Sequence, residues 1–483
     1  MFIQRTFPSL LYYPCSWKTS VGGLARMPFM AFKNFSSSAE SGPLPFKYVP
    51  IEEVERLEKY QPGGYHPILI GDVLHSRYRV AHKLGYGAYS TTWLCRDSQS
   101  NTYVAVKVGT AESNDREVDV LNYLNHVRTA ESNDREADVL NCLNHSSPLD
   151  HLGSSMIPSI KDRFILHGPN GTHPCYVTTL AMCSVSSAKE GSYKRIFQAS
   201  TARSLIVQLL LAVQYIHSKG VAHGDLHTGN ILLGLPADFD QLSIEELYEK
   251  YGSPTLEPVI RFDGQPIKES SIPSSVVPPI WLGKASEEFS LPESRVLLSD
   301  FGEAYRPSIE YRYSSHTPIS FTPPEARFDP ECGLSFSADI WTLACSIWII
   351  LGQRPLFEDI LATPDDITAE QVDTRGKLPL RWWEKWAARH RYFDESGKPN
   401  QGRQVRSWED RFEKHIQLPR QQAGIPGFDV EEKAAIMNML RSMLCFEPEK
   451  RLTARDILKC EWMERWAVPD FEKSHVGECR GRG

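Results

Sequence analysis

The sequence predicts an α+β fold of two lobes, a small β-rich N-terminal lobe followed by a larger helical C-terminal lobe. Short apolar runs bounded by turn residues lie between residues 78 and 108 and are typical of strands. After residue 200, apolar residues recur at helical spacing, as in Leu205, Leu209 and Val213. Strands that come first and helices that follow are typical of an α+β architecture.

The individual elements follow from local patterns. Strands are predicted at 78–84, 93–96 and 103–108. The first long helix is predicted at 201–219, and Gly220 is a stop signal directly after it. Most of the remaining chain shows helical patterns, so the helical lobe is expected to be the larger one.

The composition is that of an ordinary globular protein. The chain has 483 residues, of which 41% are hydrophobic and 23% charged, and this length can bury a sizeable core. The formal net charge is −7, whereas duplex-binding proteins are more often basic, so we expect no direct contact with nucleic acid. The longest apolar stretch, 340–351, is too short to cross a bilayer, so we expect no membrane partner.

The N-terminal segment has a different composition. It contains Arg5, Lys18, Arg26 and Lys33, but no acidic residue before Glu40. A basic segment without acids is typical of a mitochondrial transit peptide, and a disordered tail is the alternative. The predicted organisation is a leader or tail at 1–40, an extension at 41–77, an N-terminal lobe at 78–182, a C-terminal lobe at 183–466 interrupted by an insertion with little core of its own at 235–293, and a tail at 467–483.

A near-perfect repeat lies within residues 110–145 of the N-terminal lobe. The segment TAESNDREVDVLNYLNH at 110–126 returns at 129–145 with two substitutions. We interpret the repeat as a tandem duplication of one helix. A shift of 19 residues rotates an apolar stripe by about 100°, so one continuous helix would not bury both copies alike.

Four short motifs carry the chemistry. The glycine-rich segment GYGAYS at 85–90 lies between two strands, where backbone N–H groups could approach phosphates. Lys107 ends an apolar strand and could contact the α and β phosphates. It needs an acidic partner on the next helix, which Glu117 or its duplicate Glu136 could supply. Each of these two motifs is weak alone, because hairpins and strand ends look similar.

The other two motifs lie further along the chain. In the loop HGDLHTGN, Asp225 could accept the proton of a substrate hydroxyl and Asn230 could hold a metal ion. Asp300 ends an apolar strand and precedes Phe-Gly, where a second ligand for Mg²⁺ would lie.

The order of these motifs is that of a protein kinase, and the chain resembles that superfamily. Further matches are Thr322–Glu325, in the place of Ala-Pro-Glu, the segment after Asp339, and the segment after Arg451. The resemblance implies a two-lobed protein-kinase-like fold, a buried ion pair between Glu325 and Arg451, and an Asp339 side chain that braces the catalytic loop. It also implies ATP and Mg²⁺ as cofactors.

Within kinases, the segment GGYHP at 63–67 and Ser90 at the third glycine position resemble the SR-protein kinase family over about residues 47–466. This resemblance implies a Ser/Thr kinase of Arg/Ser-rich splicing proteins, expected as a monomer in the cytoplasm and nucleus, with a mitochondrial address as the alternative. The catalytic residues would be Asp225, Lys107 and Glu117 or Glu136. The nucleotide would contact Leu84, Gly85, Tyr86, Gly87, Ala88, Tyr89, Ser90, Thr92, Ala105 and Lys107.

Two positions depart from the kinase pattern. Gly224 replaces the usual Arg, which suggests activity without activation-loop phosphorylation, and His227 replaces a Lys that steadies the γ-phosphate. The loop around Asp225 also resembles small-molecule phosphotransferases, and a duplication that displaces the partner of Lys107 would leave a pseudokinase or scaffold. A groove for Arg-rich substrates, or simply a solvated face, could be formed by Glu358, Asp359, Asp365, Asp366, Glu370 and Asp373.

Overall fold

The computed structural model describes residues 46–113, 120, 123 and 152–479, with side chains up to residue 474. Its N-terminal lobe is built on a six-stranded antiparallel sheet in the order β1-β2-β3-β4-β6-β5. The strands are β1 (Val73–Leu74), β2 (Tyr78–Gly87), β3 (Ser90–Asp97), β4 (Thr102–Gly109), β5 (Ile160–Gly168) and β6 (Gly171–Thr179). The three predicted strands are β2, β3 and β4.

Alternation along β4 sets the two faces of this sheet. Val104, Val106 and Val108 are buried in the lobe's own core, while Ala105 and Lys107 line the cleft below the sheet. Because successive side chains of a strand point to opposite faces, the apolar run fixes the direction of Lys107. The duplicated segment follows β4, and both Glu117 and Glu136 lie outside the described residues.

A second, three-stranded sheet lies where the two lobes meet. It consists of β7 (Ala181–Ser184), β8 (Ile231–Gly234) and β11 (Val296–Leu298), in the order β11-β8-β7. Strand β8 directly follows Asn230, and a single residue, Ser299, separates the end of β11 from Asp300. Antiparallel pairing of β11 with β8 therefore brings two predicted metal ligands to the same end of this sheet.

The C-terminal lobe is helical, as predicted. Its helices are α1 (Val185–Glu190), α2 (Ala199–Ser218), α3 (Ile244–Tyr251), α4 (Pro324–Phe328), α5 (Phe336–Leu351), α6 (Pro364–Arg375), α7 (Leu380–Lys385), α8 (Trp408–Phe412), α9 (Leu418–Gln422), α10 (Val430–Met443), α11 (Ala454–Ile457) and α12 (Val468–Cys479). Helices α2 and α5 are buried on nearly all sides at the centre of the lobe, as expected for helices that are apolar all round.

Helix α2 also meets a length and hydropathy test for a membrane span. It is the one helix of the described residues that does so, and 83% of its most apolar window is buried inside the protein. A buried core helix passes the same test, and α2 is such a helix.

The insertion at 235–293 shares a core with the N-terminal extension. It contains α3 and the short antiparallel pair of β9 (Glu257–Pro258) and β10 (Ser275–Val276). A separate apolar cluster joins the two segments, formed by Tyr48, Leu57, Tyr60, Tyr65, Val259, Ile272 and Val276. The extension and the insertion, which are far apart in sequence, therefore stabilise each other.

Candidate active site

A cleft of about 690 Å³ lies between the six-stranded sheet and the three-stranded sheet. Most of the predicted nucleotide-binding residues line it, namely Leu84, Gly85, Tyr86, Gly87, Ser90, Thr92, Ala105 and Lys107. Ala88 and Tyr89, at the tip of the β2–β3 hairpin, do not line it. Asn230 and Asp300 line the same cleft, so the structure gathers most of the predicted site in one place.

Lys107 reaches the predicted metal ligand across the cleft. Its Nζ lies 3.7 Å from Oδ1 of Asp300 and 5.8 Å from the centre of the Tyr176 ring. Asp300 itself has left-handed backbone angles, φ 61° and ψ 72°, which Asp tolerates better than most residues. A positive charge next to an exposed carboxylate is suited to binding phosphate oxygens and a divalent cation together.

The catalytic loop holds Asp225 and Asn230 against each other. The Nδ2 of Asn230 donates to the main-chain oxygen of Asp225 (2.9 Å) and to its Oδ2 (3.4 Å). This leaves the amide oxygen of Asn230 as its available metal ligand, and oxygen ligands are those that hard divalent cations prefer. The residues present therefore fit a divalent metal held by Asn230 and Asp300.

Asp225 has one carboxylate oxygen without a partner. Within the described residues, Oδ1 of Asp225 is buried and accepts no hydrogen bond. Burial acts to raise the pKa of Asp225, but the neighbouring His227 side chain and the charge of His223 outweigh it, so the net pKa is lowered. An ionised, unpaired oxygen is an available acceptor for the proton of a substrate hydroxyl.

Asp339 braces the backbone of this loop, as the resemblance implied. Its carboxylate accepts hydrogen bonds from the main-chain N–H groups of His223 (2.7 Å) and Gly224 (3.0 Å) and contacts Nε2 of His217 (2.8 Å). Asp339 lies on the buried helix α5 and is itself buried. Its hydrogen bonds therefore anchor the loop that carries Asp225 to the core of the lobe.

Gly224 lies in a conformation that explains why the usual Arg is missing. Its φ is +77°, and a Cβ at this position would lie 2.5 Å from the main-chain oxygen of Glu303. Both the backbone angle and the close approach favour glycine. Arg312 instead pairs with Glu303 (2.8 Å) and Glu310 (3.0 Å). These pairs link parts of the segment 303–312, which follows Asp300, without a phosphate.

His227 is held by the loop and faces the proposed base. The N–H of Gly229 donates to Nδ1 of His227 (3.1 Å), so the ring proton belongs on Nε2. That Nε2 lies 3.7 Å from Oδ2 of Asp225. The ring therefore neighbours the carboxylate, where the kinase pattern would place an ammonium group.

The predicted ion pair between Glu325 and Arg451 is confirmed. Both guanidinium Nη atoms donate to the Glu325 carboxylate at 2.6 Å, and both side chains are almost fully buried. Arg451 also donates to main-chain oxygens of Ser337, Cys445 and Phe446 and lies over the Trp341 ring. This bidentate pair fastens α4 to the end of the lobe.

Part of the cleft wall was missed by the sequence analysis. Pro279, Ile280 and Trp281 of the insertion line the cleft, and the N–H of Ile280 donates to the main-chain oxygen of Lys83 on β2 (2.8 Å). Nothing in the local sequence signals this role, since the contact joins segments that are distant along the chain. Met182 and Leu232 were also missed, although both lie beside predicted elements of the site.

The acidic residues at 358–373 are largely paired within the chain. Arg406 binds Glu358 (2.5 Å) and Glu370, and Arg403 binds both carboxylate oxygens of Asp373. Asp365 pairs with Arg327. An Arg-rich ligand would therefore have to compete with the protein's own arginines at this surface.

Comparisons with known proteins agree with this geometry. A family model described as a protein kinase domain matches residues 78–239. Curated relatives include a serine/threonine protein kinase of Aspergillus fumigatus, 28% identical over 86% of this chain and 91% of that protein, and protein kinase dsk1 of Schizosaccharomyces pombe, 25% identical over 88% of this chain and 87% of that protein. SRSF protein kinase 3 of Homo sapiens is 34% identical over 38% of this chain and 30% of its own length.

A solved kinase domain shares the fold. It covers 83% of this chain and 98% of its own length, with a TM-score of 0.50 and 17% sequence identity. Identity this low supports the fold alone, and it confirms the predicted two-lobed arrangement of a β-rich and a helical lobe.

Proposed function

We propose that this serine/threonine protein kinase, whose relatives include SR-protein kinases, transfers the γ-phosphoryl group of ATP to serines of Arg/Ser-rich proteins that serve RNA splicing. The observation that carries the proposal is the shared cleft of Lys107, Asn230 and Asp300, next to the unpaired Oδ1 of Asp225. A protein kinase domain implies ATP and a divalent metal. Mg²⁺ is the ion that we propose.

Each residue has a defined task in this mechanism. Lys107 binds and orients phosphate oxygens, while Asn230 and Asp300 offer oxygen ligands to Mg²⁺, which would neutralise charge on the transferring group. Asp225 accepts the hydroxyl proton of the substrate at Oδ1. Asp339 keeps the loop in place, so that the proton acceptor is oriented before substrate arrives.

The substrate class is proposed from the relatives and from surface charge. One curated relative is named SRSF protein kinase 3, and another is named serine/threonine-protein kinase SRPK. The acidic residues at 358–373 give this chain carboxylates that could also receive arginines of a substrate. Protein substrates are favoured over small molecules because α4, the Glu325–Arg451 pair and α5 build the large lobe that binds peptides in kinases.

A comparison of acceptors tests the proposal. We expect the full chain with MgATP to phosphorylate an Arg/Ser repeat peptide at a higher kcat/KM than the same peptide with every Arg replaced by Ala. Choline and an aminoglycoside should accept no phosphate. Transfer to a small molecule alone would favour the phosphotransferase alternative, and no transfer to any acceptor would favour the pseudokinase alternative.

We also propose that the kinase needs no phosphate on its activation segment. The pairs of Arg312 with Glu303 and Glu310 support this, because they tether the segment with charges that are already present. Treatment with a phosphatase should leave the rate unchanged. A fall of more than about tenfold would contradict this part of the proposal.

The cellular location belongs to the same proposal. We place the activity in the cytoplasm and nucleus, and a mitochondrial address is the alternative if residues 1–39 form a transit peptide. Sequencing the N-terminus of the mature protein decides between them, because removal of the basic segment would favour import.

A further inference from the structure

The motif Gly63-Gly64-Tyr65 contacts the glycine-rich loop from outside the cleft. The Tyr65 hydroxyl donates to the main-chain oxygen of Gly87 (2.6 Å) and approaches that of Ala88 (3.4 Å). The Nζ of Lys59 also donates to the oxygen of Ala88 (3.1 Å). Gly87 lines the cleft, whereas neither Tyr65 nor Lys59 does. Two side chains of the extension therefore hold the loop by its carbonyl groups.

Tyr65 is itself fixed in one position. It is only 3% exposed, and its ring belongs to the apolar cluster that joins the extension to the insertion. Its main-chain oxygen accepts a hydrogen bond from Asn170 (2.7 Å), whose amide also binds Ser271 of the insertion (2.7 Å). Burial, followed by the charge of Glu55, raises the pKa of Tyr65 to about 12, so its hydroxyl stays protonated and remains a donor.

The two glycines tie the same motif to the far end of β4. The main-chain oxygens of Gly63 and Gly64 accept hydrogen bonds from Glu112 and Ala111 (3.0 Å each). Gly63 has a φ of +88°, and a Cβ on Gly64 would lie 1.8 Å from the oxygen of Lys59. This close approach explains the glycine pair. The motif thus connects the glycine-rich loop with the segment that follows Lys107.

A buried ion pair anchors the extension to β2. Glu55 binds both Nζ of Lys83 and the hydroxyl of Tyr60, and the side chains of Glu55 and Lys83 are completely enclosed. Lys83 precedes Gly85 by two residues. The extension that carries Tyr65 is therefore anchored to β2, the strand that leads into the glycine-rich loop. This anchor can keep the loop in one position relative to the sheet.

The direction of the contact matters for phosphate binding. In a trans peptide the C=O of one residue and the N–H of the next point to opposite sides. A Gly87 oxygen bound to Tyr65 therefore turns the Ala88 N–H away from Tyr65, and an Ala88 oxygen bound to Lys59 does the same for the Tyr89 N–H. N–H groups of such a loop are the donors that bind phosphates.

We propose that Tyr65, assisted by Lys59, is a positioning residue that presents the N–H groups of the glycine-rich loop to the phosphates of ATP. This inference rests on the proposed function, because it assigns the loop to the nucleotide. It extends the nucleotide-binding machinery beyond the kinase motifs to the extension at 46–77. The phosphates, and not the nucleoside, are the part of ATP that this contact serves.

Tyr65→Phe is the variant that tests the proposal, because it keeps the ring and removes only the hydroxyl. Tyr48→Phe is the matched control, since Tyr48 is about equally buried in the same cluster and, among the described residues, its hydroxyl makes no hydrogen bond to the loop. The measurements are dissociation constants for MgATP and for adenosine, with KM for ATP and for peptide. We expect MgATP to bind about 3- to 10-fold more weakly to Tyr65→Phe, the loss typical of one hydrogen bond, with adenosine affinity and the KM for peptide unchanged.

Several outcomes would overturn the proposal. An equal loss of adenosine affinity would indicate general loosening of the lobe, and an unchanged MgATP affinity would show that the hydroxyl has no positioning role. If Tyr65→Phe does not fold, Lys59→Met tests the same contact from a more exposed side chain, with the same expectation. If the wild type phosphorylates the peptide and Tyr65→Phe binds MgATP as tightly as the wild type does, only the positioning role of Tyr65 is rejected. If the wild type binds no MgATP, both the positioning role of Tyr65 and the proposed function are rejected.

Discussion

Gly224 is one of two residues at which the catalytic loop departs from the kinase pattern, and its backbone angle and close neighbours disfavour a side chain. We expect Gly224→Ala to lower the free energy of unfolding by at least about 2–3 kcal/mol, because it combines a left-handed φ with a contact to the Glu303 oxygen. Denaturant unfolding followed by tryptophan fluorescence measures the change. The activity should fall with it, since the loop carries Asp225.

Gly220 provides the control for backbone strain without a clash. Its φ is +75°, but a Cβ there would meet no atom within 4 Å. We expect Gly220→Ala to cost only about 1 kcal/mol. Equal losses at the two positions would show that the contact with Glu303 is unimportant, and an active, stable Gly224→Arg protein would contradict the explanation altogether.

At the residue scale, the members of the candidate site could be predicted from the sequence because each one is positioned by the chain next to it. Lys107 is directed by the alternation of β4, and Asp300 by the strand that precedes it. Asp225 and Asn230 share one tight loop. The partner of Lys107 could not be chosen, because Glu117 and Glu136 lie in almost identical copies, and both remain outside the described residues.

At the scale of elements, the Glu325–Arg451 pair fastens α4 to the rest of the helical lobe. We expect Glu325→Gln to lower the free energy of unfolding by about 3–5 kcal/mol, because it leaves a buried guanidinium without its counter-charge. Glu409→Gln removes the partner of Arg441 in an exposed pair and should cost no more than about 1 kcal/mol. Similar losses for both variants in chemical denaturation would contradict the stabilising role of the buried pair.

The insertion should contribute to the nucleoside end of the cleft. Ile280 lines the cleft and is joined through its N–H to Lys83, next to Leu84. We expect Ile280→Ala to weaken adenosine and MgATP binding alike, by about tenfold, because it removes buried apolar contact. Tyr65→Phe should instead affect MgATP alone, so the two variants report on different ends of the site.

Ile260→Ala is the matched control in the same insertion, since Ile260 is half exposed and lies outside the cleft. Its nucleotide affinities should equal those of the wild type. If Ile280→Ala binds adenosine as well as the control does, the insertion is not part of the nucleoside site.

The elements that the sequence could predict are those with local signals. Periodicity identified β2, β3, β4 and α2 within a few residues. The role of the insertion could not be predicted, because its fixed points are contacts between distant segments, such as Ile280 with Lys83. The insertion is rich in Pro and Ser. This composition gives no information about the extension against which the insertion packs.

At the scale of the whole molecule, the proposed substrate class can be tested at the acidic residues of 358–373. Arg403 and Arg406 occupy carboxylates that an Arg-rich peptide could use. We expect Arg403→Ala combined with Arg406→Ala to lower the KM for an Arg/Ser peptide by about 3- to 10-fold at low salt, because the freed carboxylates attract arginine. The gain should shrink at 0.5 M salt, as screening predicts.

Arg465→Ala serves as the control, because Arg465 is exposed and pairs with Glu431 and Glu461. Its KM for the peptide should equal that of the wild type. A KM that is unchanged or higher in the double variant would show that these carboxylates only stabilise the lobe and do not receive the substrate.

The central claim is that a proton acceptor, Asp225, lies next to a cleft in which two metal-holding oxygens and an amine surround the end of ATP. The most direct test compares phosphate transfer from labelled ATP to an Arg/Ser peptide by the wild type and by Asp225→Asn, with MgATP affinity measured in parallel. We predict that Asp225→Asn binds MgATP within about threefold of the wild type but transfers phosphate at least about 100-fold more slowly. Equal transfer rates at equal nucleotide affinity would contradict the account.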